Sequence, residues 1–109
     1  MALERGTRYG NGRGVPQDDA EAARWYRLAA DQGDADAQFL LGVRYANGEG
    51  VPQDYVESHM WFNLSAAQSS GDDRDKSVKG RDSVAELMTS EQIAEAQRRA
   101  REWKPTPEP

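Results

Sequence analysis

Glycines at a phosphate-loop-like spacing are the first residues whose pattern suggests chemistry. The run GNGRG at 10–14 contains three glycines, but a phosphate-binding loop needs a strand before it and a helix N-terminus after it. No strand pattern precedes this run. A second copy, ANGEG at 46–50, has one glycine fewer and carries a glutamate in the loop. Both runs are therefore interpreted as turns.

The residue types that bind metals do not form a recognised set. The chain has no cysteine and one histidine, His59, so we expect no zinc site. The acids Asp72, Asp73 and Asp75 do not continue into the glycine and glutamate positions of an EF-hand loop. We interpret them as charges at a helix N-terminus, and His59 as a solvated helix position. We expect no metal and no cofactor.

Two aromatic pairs, Trp25–Tyr26 and Trp61–Phe62, are the remaining candidates for ligand stacking. Both pairs occupy the same place in two repeated segments, with small residues on the same helix face. Large side chains beside small ones are typical of helix packing, so we predict core positions. No nucleophile can be paired with a base by any spacing rule, and we predict that the protein is not an enzyme.

Charge and composition exclude several classes of partner. The chain has 109 residues and a net charge of −5. An acidic surface disfavours nucleic acid and anionic lipid, both of which attract basic proteins. No apolar run approaches the roughly 20 residues of a membrane span, so we expect no membrane insertion.

A tandem repeat organises the chain. The segment RYGNGRGVPQD at 8–18 recurs as RYANGEGVPQD at 44–54, an offset of 36 residues. A period of this length is typical of a solenoid built from helix pairs. The positions that match are Gly6 with Gly42, Tyr9 with Tyr45, Gly12 with Gly48, Gly14 with Gly50, Asp18 with Asp54, and Trp25 with Trp61. At Leu41 the first unit has Arg5 instead.

Each repeat is predicted to contain a helix A, a glycine-rich turn and a helix B. In the second repeat, helix A covers about 35–46 and helix B begins near Asp54, an N-capping residue type. Helix B is predicted to end near Gly33 in the first repeat and near Gly71 in the second. The aspartates that follow, Asp34 and Asp72, are predicted to cap the next helices.

The last third departs from the period but stays helical. Residues 72–88 predict one helix, and a capping box of Thr89 and Gln92 opens another that ends near Trp103. Three prolines then predict an extended tail. A divergent helix pair of this kind suits the capped end of a solenoid.

These motifs resemble the Sel1-like repeat family, a relative of the tetratricopeptide repeats. The resemblance covers residues 3–68. It includes Ala37, Gln38, Leu41 and Gly42 of helix A, the turn glycines, and the aromatic pairs of helix B. It implies an all-α, right-handed superhelical solenoid of helix-turn-helix repeats with a C-terminal capping helix pair. It also implies a non-enzymatic adaptor or scaffold, of a kind usually found in bacteria, with a protein or peptide partner.

The expected organisation is a repeat domain over 1–103 and a proline-rich tail over 104–109. Within the domain, repeat 1 covers about 3–33, repeat 2 about 35–70, and the capping pair about 72–103.

Helix A of the second repeat carries more apolar residues than one buried stripe needs. In the related tetratricopeptide geometry helix A lines a concave groove, which makes this helix the candidate partner-binding surface. The candidate residues are Asp36, Phe39, Val43 and Asn47, with Thr7 and Asn11 in the first repeat. Packing against neighbouring helices is an equal alternative for Phe39 and Val43, and is favoured for Leu40.

Two other functions were considered. The short, poorly apolar first helix leaves an edge that a second copy would cover, so self-association is the main alternative, together with membership of a longer repeat array. Some Sel1-like proteins have been linked to β-lactam hydrolysis, but those are rich in disulfides and this chain has no cysteine.

Overall fold

The structure, a computed structural model, describes residues 18–106, which form five α-helices. The helices are α1 (Asp19–Asp31), α2 (Ala35–Asn47), α3 (Tyr55–Gln68), α4 (Gly71–Ala85) and α5 (Ser90–Glu102). No strand occurs between residues 18 and 106, in agreement with the predicted all-α class. The predicted repeat places α1 as helix B of the first repeat, and α2 and α3 as helices A and B of the second.

Aspartate side chains begin the three helices of the repeats, as predicted. Asp18, Asp34 and Asp54 each accept a hydrogen bond from the backbone N–H three residues later, at 2.9–3.1 Å. Thr89 begins α5 with the predicted capping box, because Thr89 and Gln92 each accept a backbone hydrogen bond from the other. These bonds satisfy amide groups that have no partner inside their helix.

The predictions for the junction between α3 and α4 were wrong. Helix α3 ends at Gln68, and two extended serines, Ser69 and Ser70, separate it from α4. Gly71 has a φ of 58° but is the first residue of α4, not the cap of α3. Asp72 therefore lies in the first turn, where its charge faces the positive end of the helix dipole, and Ser70 is the N-cap.

Helix α3 lies at the centre of the packing. It contacts α2, α4 and α5, and α2 in turn contacts α1 and α4. The two first helices of successive units, α2 and α4, thus lie side by side with α3 against both. The predicted terminal pair, α4 and α5, closes two sides of this central helix, which is the role expected of a cap.

Trp61 of α3 is the largest fully buried side chain in the described part of the chain. Its ring meets Trp103 edge-on at 6.4 Å, and the Arg27 guanidinium lies 5.3 Å from its ring centroid. The indole Nε1 donates to Glu57 at 3.1 Å, and Glu57 also accepts from Arg99 at 3.1 Å. One side chain therefore joins α1, α3 and α5, and its polar atom is paired, as burial requires.

Gln38 is also fully buried, and its amide links three helices. It donates to the Ala30 carbonyl at 3.2 Å and accepts from the Gln68 side chain at 2.8 Å. The Ala30 carbonyl lies at the C-terminal end of α1 and also accepts from the Gly33 backbone N–H at 3.0 Å, so Gln38 adds a second hydrogen bond to this carbonyl. This explains a polar residue in the otherwise apolar face of helix A.

Phe62 fills the narrow space between α2, α3 and α4. A Cβ atom added to Gly42 would lie 2.7 Å from its ring, and one added to Gly80 would lie 2.8 Å from it. Real Cβ contacts are never that short, so both positions exclude every side chain while the ring stays in place. Phe62 is 3% exposed and cannot move outward without leaving the core.

His59 does not occupy the solvated position that the sequence predicted. It is 3% exposed, and its Nδ1 has no hydrogen-bond partner. Its counterpart in the first repeat, Ala23, is equally buried, so this position faces the interior in both repeats. An alanine fits a buried face as well as a solvated one, which is why the comparison of the repeats did not reveal the burial.

The close approach at Phe62 predicts the effect of a single methyl group. Gly42→Ala gains about 1 kcal/mol of helix propensity but overpacks the ring, at a cost of about 1–3 kcal/mol. We expect a net loss in the free energy of unfolding, measured by urea denaturation. In a Phe62→Leu background the same change should be neutral or stabilising. Ser83→Ala, exposed on α4, is the control and should change little. Equal effects of Gly42→Ala in both backgrounds would contradict the account.

Candidate functional site

An open cavity of about 200 Å³ lies between α2 and α4. Its walls come from the first two turns of α2 and α4, and its base lies where the C-terminal end of α3 meets α4. The lining residues are Asp36, Phe39 and Leu40 of α2, Ser65 and Ser69 at the end of α3, and Asp73, Lys76 and Ser77 of α4. It therefore combines an apolar wall, hydroxyl groups and charges of both signs.

Phe39 forms the apolar wall and is fixed by the core behind it. Its ring lies 5.6 Å from that of Phe62 in a tilted arrangement, and both rings are held by neighbouring helices. Lys76 of α4 places its ammonium 5.0 Å from the Phe39 ring centroid, within cation–π range. Leu40 lines the same wall while it also packs against the core around Trp61.

Two serines form the polar base of the cavity. Ser65 donates to the Ala35 carbonyl at 2.8 Å, and its hydroxyl lies 2.9 Å from that of Ser77. Both serines are about 1% exposed. Each hydroxyl has one proton and two lone pairs, so the orientation of one bond fixes the other.

Two carboxylates, Asp36 and Asp73, flank the cavity from opposite helices. Both belong to exposed residues in the first turn of their helix. Within residues 18–106 neither accepts a hydrogen bond nor forms an ion pair. Their charges suit the positive helix ends but leave their oxygen atoms open to other donors.

The structure brings only part of the predicted groove together. Asp36 and Phe39 line the cavity, whereas Val43 and Asn47, one and two turns further along α2, do not. Val43 is partly buried, and the Asn47 side chain donates to Glu49 at 3.1 Å. Thr7 and Asn11 lie outside the described residues, as do the signature positions Gly6, Tyr9, Gly12 and Gly14.

Sequence reasoning missed the wall contributed by α4. Asp73 and Lys76 are three residues apart and therefore share a helix face, but the divergent unit was interpreted only as a cap. Ser65 and Ser77 were missed as cavity residues because both have ordinary roles in helices. The pairing of α4 with α2 puts Asp73, Lys76 and Ser77 beside Phe39, and the packing of α3 against both helices adds Ser65.

A second, shallower depression lies on α1. It is lined by Glu21, Arg24, Trp25, Arg27, Leu28 and Asp31. Its charges are paired within the helix, Arg24 with Glu21, and Arg27 with Asp31 at 3.0 Å. The edge residues on which self-association depends, such as Arg5, lie outside the described residues, so that alternative stays a prediction.

Residues 18–106 show neither a metal site nor a membrane span. Their His, Asp and Glu side chains form no group of three or more that would hold a metal ion. None of the helices that they form is both long and apolar enough to cross a bilayer.

Stacked helix pairs around one central helix define this protein as a helical-repeat solenoid. The Sel1 repeat matches residues 2–34 and 35–70, and the chain belongs to the Sel1 repeat family. Proteins of this family are generally scaffolds for protein–protein interaction, and they are typically non-catalytic. No curated protein matches the sequence.

Two solved structures share the fold. One is a protective antigen present in uropathogenic Escherichia coli strains, which displays an SLR fold. It is 30% identical to this chain over 94% of the chain, with a TM-score of 0.85. The other is a Sel1 repeat protein from Oxalobacter formigenes, 29% identical over 94% of the chain, with a TM-score of 0.65. The present chain spans 21% and 43% of their respective lengths.

The surroundings of His59 predict that the stability of the fold depends on pH. Burial lowers the pKa of His59 below its ordinary value of 6.5; Arg81 lowers this pKa further, and Asp82 opposes the shift. Both of these charged residues belong to α4. Protonation at this position would place a charge in the interior beside a guanidinium.

A falling pH should therefore weaken the fold. Because the pKa of His59 is lowered on folding, its contribution to stability is complete above pH 6.5. It is lost as the pH falls toward the folded-state pKa, with a slope of at most about 1.4 kcal/mol per pH unit. We expect the free energy of unfolding to decrease between pH 7 and 5. His59 is the only histidine, so His59→Leu should flatten this profile. An unchanged slope in the variant would assign it to carboxylates instead.

Proposed function

We propose that this chain is a non-enzymatic protein-interaction module that holds a peptide or a helix of a partner protein in the cavity between α2 and α4. The observation that carries the proposal is the Phe39–Leu40 wall, which is apolar, partly exposed and open to solvent at a junction of two repeat units. A curved stack of helices presents such a surface along its first helices.

The wall has the properties of a binding anchor. The Phe39 ring rests on Phe62, which Gly42 and Gly80 hold in place, so the wall exists before a partner arrives. A surface that is already ordered loses little conformational entropy on binding. The family to which the chain belongs supports the same function, because Sel1 repeat proteins generally mediate protein interactions.

The extent of the groove beyond the cavity is part of the proposal. Val43 and Asn47 continue the same side of α2 toward its C-terminal end, and a bound segment that extends past Phe39 would meet them next. Thr7 and Asn11 are the matching positions of the first repeat. An extended peptide rises about 3.3 Å per residue, so a segment of about four residues would span from Asp36 to Val43.

Peptide selection with matched variants tests the proposal. A displayed library of 12-residue peptides is selected on the wild-type protein, and the peptides recovered are measured by isothermal titration calorimetry. Phe39→Ala should weaken their binding at least tenfold, as expected for an anchor residue. Leu87→Ala is the control, because Leu87 is 63% exposed outside the cavity, and it should leave binding unchanged.

Stability must be separated from binding, since Phe39 also packs on Phe62. Circular dichroism should show that Phe39→Ala is folded at the titration temperature, and Phe39→Leu should retain most of the affinity. If the recovered peptides bind Phe39→Ala as well as wild type, the cavity is not the binding site.

A further inference from the structure

The hydrogen-bond directions at the base of the cavity show which ligand atoms it accepts. Ser65 uses its single hydroxyl proton on the Ala35 carbonyl, at 2.8 Å. The 2.9 Å bond between the serines must therefore use the proton of Ser77. Ser77 then has only lone pairs left, so a ligand at this base must donate to it.

The charged residues of the cavity lining also favour a ligand that donates hydrogen bonds. Among residues 18–106, Asp36 and Asp73 are acceptors without a donor, and Lys76 is the only cation that lines the cavity. No carboxylate in residues 18–106 lies within ion-pair distance of the Lys76 ammonium, which contacts the Phe39 ring instead. With two carboxylates and one ammonium, the side chains of the lining carry a formal charge of −1. The positive ends of α2 and α4 offset part of this charge, but only the carboxylates can accept hydrogen bonds, so the lining favours a cationic donor over an anion.

Size and shape restrict the cation further. The cavity is open and has a volume of about 200 Å³, which leaves room for one long side chain of a bound segment. The Phe39 and Leu40 wall offers apolar contact for a methylene stem. The Phe39 ring already holds the Lys76 ammonium at 5.0 Å, which shows that this face is accessible to a positive charge.

We propose that the cavity binds a lysine or arginine side chain from a basic segment of the partner, with the stem on Phe39 and Leu40 and the cationic head donating to Asp36, Asp73 and Ser77. This inference rests on the proposed function, because it names the chemistry of the segment held at the same site. Lys76 is exposed and has no carboxylate partner among residues 18–106, so it gives up only its contact with the Phe39 ring when the partner's cation takes that place and Lys76 turns toward solvent.

Three variants separate this proposal from general electrostatics. Asp36→Asn/Asp73→Asn removes both cavity carboxylates, whereas Asp72→Asn/Asp75→Asn removes two exposed acids of the same helix that do not line the cavity. The two double variants have the same net charge. Lys76→Gln removes the resident cation and leaves both carboxylates.

The probes are the 12-residue peptides recovered by selection on the wild-type protein. Each peptide is compared with a version in which its lysine is replaced by norleucine or its arginine by citrulline.

We expect the recovered peptides to share a basic residue beside apolar ones. The neutral replacement and the cavity double variant should each weaken binding roughly tenfold, and not additively, because both remove the same contact. Lys76→Gln should strengthen binding, and Asp72→Asn/Asp75→Asn should change it little.

The outcomes distinguish the inference from the function on which it rests. If peptides bind in a Phe39-dependent way but contain no required cation, or if Lys76→Gln weakens them, the proposed function stands and the cation site is wrong. If both double variants weaken binding equally, the effect is a general attraction and the cation site is again wrong. If no recovered peptide depends on Phe39, the cavity is not a peptide site and both proposals fall.

Discussion

The ring of Phe62 sets the distances between α2, α3 and α4, and the rest of the structure depends on those distances. It fits because Gly42 and Gly80 present bare backbone to its two sides, so three helix axes approach more closely than side chains would allow. Dispersion contacts fall off steeply with distance, and a small separation of the helices would forfeit much of the packing. Gly42 belongs to the repeat signature, whereas Gly80 lies in the divergent unit. A glycine against the Phe62 ring therefore also positions α4, a helix that lies outside the repeat pattern.

The cavity is a consequence of this arrangement. Phe39 lies on the solvent side of Phe62, so the apolar wall of the cavity is the outer layer of the core. The hydroxyl pair at its base, Ser65 and Ser77, crosses the interface of α3 and α4 that Phe62 maintains. A site supported from behind in this way keeps its geometry without a partner, which favours tight binding for a small contact area.

Local signals in the sequence were sufficient for most of the fold. The offset of 36 residues predicted the helix pairs, and aspartates and the Thr89 capping box marked where helices begin. Such features depend on a few neighbouring residues and are therefore readable without the tertiary structure. The α3–α4 junction could not be predicted in this way. A left-handed glycine commonly ends a helix, but here Gly71 is the first residue of α4 and follows two extended serines.

Only the α2 side of the cavity could be predicted from the sequence, because the α4 side depends on how the helices pack. Phe39 stood out because helix A of the second repeat has a surplus of apolar residues, and Asp36 was added by the groove geometry of the related tetratricopeptide repeats. Asp73, Lys76 and Ser77 carry no such surplus, and their importance comes only from the helix that they face. The burial of His59 was also hidden, because its counterpart Ala23 is a residue that fits a buried face as well as a solvated one.

If the proposed binding site is correct, the capping unit has two roles that are energetically linked. Residues 70–76, at the start of α4, are exposed, and the Ser70 N-cap makes no side-chain hydrogen bond, so this end has few contacts of its own. A partner that bridges α2 and α4 would bind only when α4 is docked. By mass action it would therefore stabilise the docked cap as well as occupy the cavity. The last helix pair of the solenoid would then both end the stack and be stabilised by the bound partner.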